Sequence, residues 1–513
     1  MSSDEHELEV ELMGSRYTYE GPEALGSIVS HYCHALRMES SKEAYDWRIT
    51  AYEVQGKYFL VIHKVTCQPM GDEGSSLRCL CQEFQHQDQE MRTLTFIQEA
   101  TADGRAAIGR ALYSFLAHEL GVPKGEWGDL VGVRPVKYFH KKREQLGSEE
   151  AVFRHLTKER YVSEQKASLL QQVAKMQEPL ITSIVPRDRQ IALYGNIPFC
   201  TTHCVYCSFP YGIIKKEEPL TEWVDAFLRD IHHAGEEMAR YQLKATSAYL
   251  GGGTPTALGE IPFSKMVHAF SKLLEEGTEF TVEAGRPDTV TEGKLKAMVE
   301  AGATRISINP QTMQDELLRL IARGHSVSDI LTLYEKVRAE TKLMINMDFI
   351  AGLPDQKLAH MEENLNHVAA LMPENVTIHT LALKKGSPLF QSELRHRIAS
   401  AEEARAMVEM AQEILTKLGY VPYYLYRQQY MTGSLENVGY CLPESMCHYN
   451  VMMMEERQPV LSVGPGSTTK WMMDQDFTQL KQYMPKDVPT YMRELEQLLN
   501  KRHGQMKECY GEA

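Results

Sequence analysis

Between Ile191 and Leu381 the sequence alternates short apolar runs with longer stretches of helical spacing. The strand candidates are Ile191–Tyr194, Ser247–Leu250, Phe280–Glu283, Arg305–Ile308, Met344–Ile350 and Thr377–Leu381. Helical stretches lie between them, near Thr221–Met238, Ile261–Glu275, Thr291–Ala301, Met313–Ala322 with Val327–Glu340, and Leu358–Leu371. Strands alternating with helices predict an α/β fold with a parallel sheet and crossover helices. By periodicity alone a doubly wound sheet fits nearly as well as a barrel. In both, chemistry gathers at the carboxyl ends of the strands, and the unusual polar residues of this chain fall there.

The first strand end is the densest. Cys200, Cys204 and Cys207 are spaced C-x3-C-x2-C directly after it. Three thiolates in one tight loop can bind three irons of a cubane cluster and leave the fourth iron open. Most iron–sulfur proteins supply four ligands, so a small molecule would complete the coordination. A zinc site with His203 or a distant residue as fourth ligand, or unligated thiols, are the alternatives. Zinc loops usually come as paired C-x2-C knuckles, and no second knuckle is present.

Gly251-Gly252-Gly253-Thr254-Pro255-Thr256 follows the second strand, where glycine lets the backbone approach a ligand closely. Alone, a glycine triplet reads as an ordinary tight turn. Glu283 ends the third strand, Gln311 lies just past the fourth and Asp348 lies within the fifth. Taken singly, Asp348 would be a structural carboxylate and Arg323 a solvated charge, while for Glu283 a structural ion pair is the alternative to a site role. Their joint register with the cysteine loop makes them site candidates.

These residues carry a resemblance. C-x3-C-x-aromatic-C after a strand resembles the signature of radical S-adenosylmethionine (SAM) enzymes. The flanking Ile197-Pro198-Phe199 and Ser208-Phe209-Pro210 resemble the oxygen-independent coproporphyrinogen III oxidase (coproporphyrinogen dehydrogenase) family, in its HemZ-type branch. The resemblance implies a partial (β/α)6 barrel and a [4Fe–4S] cluster held by Cys200, Cys204 and Cys207. SAM would chelate the open iron, and an electron from the reduced cluster would split it to a 5′-deoxyadenosyl radical. On the same pattern Gly252, Gly253 and Thr254 bind the amino group of SAM, and Glu283 suits that amino group or the ribose. Tyr194, Tyr206, Gly252 and Glu283 match residues near the cluster or the cofactors.

Arg305 to Gln311 is similar to the family's R-x-S-x-G-x-Q segment, Arg323-Gly-His325 to its R-x-H, and Asp348 to Pro354 to its D-x-I-x-G-L-P. Residues at the positions of Gln311, Arg323 and Asp348 help hold a second SAM in the bacterial oxidase. Three departures stand out. Asn309 replaces a glycine, Phe209 stands where the oxidase has a fourth cysteine, and Asn196 stands where a histidine is usual.

The sequence up to about residue 185 reads as an α+β unit. Trp47 to Val54 and Tyr58 to His63 suggest a β-hairpin reversing at Gly56. Ile108, Ala111, Leu112, Phe115 and Leu116 recur at helical spacing until Gly121-Val-Pro123. His140-Lys-Lys-Arg143 reads as a solvated face, and Lys158 to Met176 as an amphipathic helix. Ile184 to Arg189 is a plausible linker. Beyond about 395, Ser400 and Glu403 have capping-box spacing at the head of a helix running to Leu418, with Gly419 as its stop. Aromatic-rich Pro422 to Tyr430 reads as packing by default, with a wall for a flat tetrapyrrole the alternative, and the methionines 452–454 read as core. Val463-Gly464-Pro465-Gly466-Ser467 resembles a family loop that returns to the cofactors. Leu435 to Cys441 and Glu455 to Gln458 resemble the HemZ-type carboxyl-terminal signature. Cys447-His448-Tyr449-Asn450 stands where haem chaperones carry His-Asn-x-x-Tyr-Trp, and that motif is broken. The expected division is an N-terminal domain of unknown role over 1–185, the barrel over 186–395, and a mixed substrate-enclosing region over 396–513.

A net charge of −14 speaks against nucleic acid or an anionic membrane surface as main partner, since both need a basic footprint. The first residues lack a signal-peptide pattern, and no apolar run reaches the roughly 20 residues of a membrane span. Ten cysteines in this length do not make a disulfide scaffold, and Cys33, Cys67, Cys79, Cys81 and Cys509 read as incidental thiols. A reducing cytoplasm is the expected location. The resemblance then implies oxidative decarboxylation of coproporphyrinogen III to protoporphyrinogen IX without dioxygen. It also implies an electron donor for the cluster, an unidentified electron acceptor, and one or two molecules of SAM. No catalytic residue is assigned. The rivals are a haem chaperone, another tetrapyrrole-modifying radical SAM reaction such as methyl transfer or haem-ring opening, and a structural zinc protein.

Overall fold

The computed structural model of the protein describes residues 134–511, apart from 184–188, 209–211, 215–219, 429–430 and 475–476. Before residue 134 it describes 16–20, 39–40, 47–54, 57–64, 94–99, 109, 111–112, 115, 125–128 and 130. The reversal at Gly56, the stop at Gly121–Pro123, most of the linker, Phe209, Tyr430, and cysteines 33, 67, 79 and 81 lie outside the described residues. The chain forms two compact units, residues 1–132 with 148–168, and residues 133–147 with 169–513.

In the first unit, Trp47–Val54 pairs antiparallel with Lys57–Lys64, as the sequence predicts. The pair lies in a five-stranded sheet with Glu39–Ser40, Arg16–Glu20 and Leu94–Glu99. Trp47 and Ile49 lie two apart, and Ile49 faces Ile62 across the ladder. All three are buried, because alternate residues of a strand share one face. The helix expected from Lys158 starts later and spans Glu164–Thr182. Tyr161, at φ 54°, takes the left-handed backbone region that a helix cannot continue through.

In the second unit six parallel strands stand side by side in chain order: Gln190–Ile197, Lys244–Gly252, Glu279–Glu283, Arg305–Ser307, Met344–Ala351 and Asn375–Thr380. A doubly wound sheet reverses its strand order at a switch point. Here the order runs from first to sixth without reversal, the winding of a barrel wall. Gln190–Ile197 and Met344–Ala351 are buried almost along their whole length, as strands covered on both faces must be.

Five further strands extend this wall to eleven. Asn437–Cys441 pairs antiparallel with the sixth barrel strand, and Val421–Tyr426 pairs with it in turn. On the other side Val460–Val463 runs parallel to the first barrel strand, followed by Thr468–Met472 and Gln479–Tyr483. Residues beyond 395 therefore continue the barrel sheet rather than stack beside it.

The helices end where their sequences say. Ser400 accepts from the Glu403 amide while Glu403 accepts from the Ser400 amide, closing the expected capping box, and Gly419 follows at φ 89°. Thr221–Arg240 buries Trp223, Phe227, Ile231, Ala234 and Met238 on one face. The charged run His140–Arg143 departs from expectation. It lies in the helix Pro135–Leu146, where His140 points inward to Gln177 at 2.9 Å, so only its neighbours face outward. Among the described residues no helix is long and apolar enough to cross a membrane.

Candidate functional site

The cysteine loop is clamped to the second barrel strand by backbone bonds. Gly253 N donates to Ile197 O at 2.7 Å and Thr254 N to Phe199 O at 2.6 Å. This close approach explains the glycines. A Cβ on Gly252, at φ 108°, would collide with Asn196 Oδ1, and one on Gly253 with Phe199 O. Cys204 is buried, and Cys200 and Cys207 are half-buried. Cys200 Sγ lies 3.5 Å from Thr254 Oγ1. Burial pushes the Cys200 thiol up to about 11, against the opposing pull of Thr254 and the positive charge of Arg286.

With the amides of Gly253 and Thr254 tied down, and Gly252 N held by Glu283, the backbone of this turn offers a ligand carbonyl acceptors rather than these amides. That suits an ammonium group. Glu283 stands beside it. Burial and the neighbouring charge of Asp348 raise the Glu283 carboxyl to about 8. Asp348 goes the other way: burial opposes its charge, but hydrogen bonds from His379, Asn346 and Thr377 outweigh it and hold it below the usual range.

The other expected residues form a second layer. Arg323 is buried and donates to Gly285 O at 2.7 Å and Asn309 O at 3.1 Å, with Tyr206 against its guanidinium. Gln311 sits at φ 70°; its amide donates to Asp348 O at 2.8 Å, and its side-chain Oε1 is buried with no partner. Tyr194 donates to Asn196 Oδ1 at 2.9 Å, and Asn196 Nδ2 donates to Pro465 O. The Gly464–Ser467 loop thus reaches the base of the glycine turn. Tyr194 and Tyr249 stack on Tyr449, with ring centres 6.1 Å and 5.0 Å away.

Several site residues escaped the sequence reading. Asn309 donates to Glu283 Oε1 at 3.2 Å, so the departure from glycine adds a bond to the site carboxylate. His379 Nε2 is 3.5 Å from Asp348 Oδ2, and its Nδ1 is 3.2 Å from the Tyr426 hydroxyl. A cavity of about 190 Å3 opens there, lined by Tyr249, Asn346, Asp348, His379, Tyr426 and Cys447. A signal for it existed. Asn346 with Asp348, and Asn375 with Thr377 and His379, place polar residues at alternate positions of otherwise apolar strands, marking one inward face. The neighbouring Tyr423 and Tyr424 are buried in the core, and Tyr424 also lines the cavity.

The residues fit an iron–sulfur cluster with a small-molecule ligand. Three thiols share one loop, the adjoining turn has no room for a Cβ, and the buried Gln311 Oε1 and Arg286 Nη1 lack protein partners. Among the described residues no three His, Cys, Asp or Glu side chains are grouped to hold a single metal ion. Cubane binding asks for a different arrangement, with each thiolate on its own iron.

Comparison with known proteins gives a consistent result. The radical SAM superfamily profile matches residues 197–368. The oxygen-independent coproporphyrinogen-III oxidase-like protein HemZ of Bacillus subtilis is 34% identical over 422 residues, covering 80% of this chain and 83% of its own length. The heme chaperone HemW of the same species is 30% identical over 228 residues, 44% of this chain and 59% of its own length. In fold, the chain matches the solved structure of the radical SAM enzyme coproporphyrinogen III oxidase (HemN) from Escherichia coli, with TM-score 0.50 and 18% identity, over 66% of this chain and 79% of that one.

Proposed function

We propose a function for a chain that belongs to the radical SAM HemN/HemZ family: oxidative decarboxylation of coproporphyrinogen III to protoporphyrinogen IX without dioxygen, in a reducing cytoplasm. One observation carries the reading. A chain alike to HemZ over four-fifths of its length also brings its three-cysteine loop, its glycine turn and Glu283 to one end of the barrel. Cys200, Cys204 and Cys207 would hold a [4Fe–4S] cluster, and SAM would complete it and supply a hydrogen-abstracting 5′-deoxyadenosyl radical when bound.

The chain's own part is positioning and exclusion of side reactions. The carbonyls of Gly252, Gly253 and Thr254 would accept the SAM ammonium. Glu283, whose proton is held on by burial and by Asp348, would release it to solvent and pair with that cation. Tyr194 and Tyr206 would wall the cofactor. Asp348 lines the adjoining cavity, and on the family pattern Gln311, Arg323 and Asp348 would hold a second SAM. At about 190 Å3 that cavity is smaller than the roughly 300–1,000 Å3 of sites that enclose drug-sized ligands, so a tetrapyrrole would sit outside it, at the barrel mouth. Each propionate loses a hydrogen atom, carbon dioxide and one electron to become vinyl. The reaction therefore needs an external electron acceptor as well as a donor for the cluster.

The haem-chaperone reading rests on kinship to HemW. The segment 447–450 argues against it. Cys447 and Tyr449 are buried, Tyr449 in the tyrosine stack, and Asn450 donates to the Tyr423 hydroxyl at 3.0 Å, so of this segment only His448 is left exposed. The test is an anaerobic assay of the reconstituted protein with reductant, SAM and coproporphyrinogen III, followed by mass analysis. Protoporphyrinogen IX with 5′-deoxyadenosine is expected, and both should vanish when the three cysteines become alanine. Stoichiometric haem binding without vinyl product would establish the chaperone instead, and consumption of haem a ring-opening enzyme.

A further inference from the structure

Arg286 follows the third barrel strand by three residues and belongs to none of the motifs above. It is 1% exposed, as deeply buried as Leu193 or Leu250 of the core. Nη2 donates to Thr202 O at 2.9 Å and to Cys204 Sγ at 3.1 Å. Nη1 is buried with no hydrogen-bond partner. The guanidinium lies between the cysteine loop and Gly324, where an added Cβ would sit 3.9 Å from both Nη1 and Thr202.

A buried guanidinium without a counter-ion is among the costliest arrangements a fold can keep. The carboxylate nearest in sequence, Asp288, engages His325 at 3.6 Å instead, and burial holds His325 below its usual range, in the neutral form. Asp288 and Arg286 attract without forming an ion pair, so the anion that the guanidinium hydrogen-bonds is the cysteine loop. Charge-assisted hydrogen bonds are the stronger kind, and hydrogen bonds to cluster sulfurs together with net charge set the potential of an iron–sulfur centre.

We infer that Arg286 is a positioning residue of the cluster: it holds the Cys204 sulfur in place and, by its charge, makes the cluster easier to reduce. The inference rests on the cluster reading above. Reduction adds negative charge to the centre, and a fixed cation hydrogen-bonded to one of its sulfurs favours the more negative state. The unpartnered Nη1 is the second donor of the same fork, available to the cluster.

The test uses the full chain, reconstituted with iron and sulfide under argon, as wild type, Arg286→Gln and Arg286→Lys. Glutamine keeps a planar donor and loses the charge; lysine keeps the charge and loses the fork. The readout is the reduction midpoint, from redox titration followed by the electron paramagnetic resonance of the reduced cluster. For Arg286→Gln the reduction equilibrium should fall about tenfold or more, which for a one-electron couple is about 59 mV. Arg286→Lys should stay within about threefold of wild type. If Arg286→Gln folds, by circular dichroism, but takes up no cluster while Arg286→Lys does, the requirement for charge is equally supported. Coincident midpoints for all three proteins overturn the inference, as do equal shifts for glutamine and lysine. Should Arg286→Gln fail to fold, a tenfold shift in Arg286→Lys overturns it and a wild-type midpoint supports it. A wild-type protein that binds no four-iron cluster overturns the cluster reading itself, and this inference with it.

Discussion

Glu283 and Asp348 show how two carboxylates divide one charge at the residue scale. Asp348 has three hydrogen-bonding neighbours and stays ionised, and its charge adds to burial in keeping the Glu283 proton on. The folded carboxyl, near 8, lies above its ordinary value of 4.5. The unfolded chain therefore releases this proton first as pH rises. The contribution to stability is whole below about 4.5 and is lost as pH climbs through 8, with a slope of at most about 1.4 kcal/mol per pH unit. Urea titrations of the cofactor-free protein between pH 5 and 8.5 should show wild type losing stability relative to Glu283→Gln. Parallel curves would place the proton elsewhere. Gly252→Ala puts a Cβ against Asn196 at a φ of 108°. It should cost about 1–3 kcal/mol and abolish SAM binding measured by calorimetry. Gly302→Ala, at φ 74° with open space around it, should carry only the backbone cost and leave binding intact.

Among elements, the helix Val488–Tyr510 does unexpected work. Its Arg502 pairs with Asp230 of the helix Thr221–Arg240 at 2.7 Å, and both side chains are fully buried. Tyr491 donates to the same carboxylate at 2.7 Å, and so does Gly464 N at 2.8 Å. One aspartate thereby anchors the 464–467 loop that receives Asn196 beneath the glycine turn. Removing one partner leaves an uncompensated buried charge, so Arg502→Met should lower the urea-derived unfolding free energy by about 3–5 kcal/mol. A loss under 1 kcal/mol would mean that the pair is solvated in solution. The strand elements behave more simply. Their inward faces alternate polar residues and their outward faces are apolar, so each strand was recognisable from its own few residues.

At the scale of the whole molecule, the helices Pro135–Leu146 and Glu164–Thr182 tie sequence preceding residue 185 to the barrel unit. Gln177 donates to Tyr423 O at 3.0 Å and Glu455 Oε1 at 3.1 Å, while Arg134 and Lys137 reach Glu456 at 2.7 Å and 3.0 Å. Deleting residues 1–185 removes all three residues, leaves buried Glu455 without its Gln177 donor and leaves Glu456 with Lys470 alone; deleting 1–132 spares them. The shorter product should be recovered largely as aggregate, or unfold at clearly lower urea than the longer one. Equal midpoints would show that these contacts contribute little.

Local pattern determined much of this protein without reference to the fold. Periodicity placed six strands and their helices, because a strand or helix is chosen by neighbours two to four residues away. The spacing of Cys200, Cys204 and Cys207 lies within one loop for the same reason, as does the capping box at Ser400. Partners far apart in the chain were decided only by tertiary structure. Arg286 meets Cys204 across 82 positions, Arg502 meets Asp230 across 272, and the strand at 460–463 joins the one at 190–197. Which of many buried charges meet, and so whether Glu283 keeps its proton, depends on how the sheet turns its faces inward, and no short window of sequence contains that geometry.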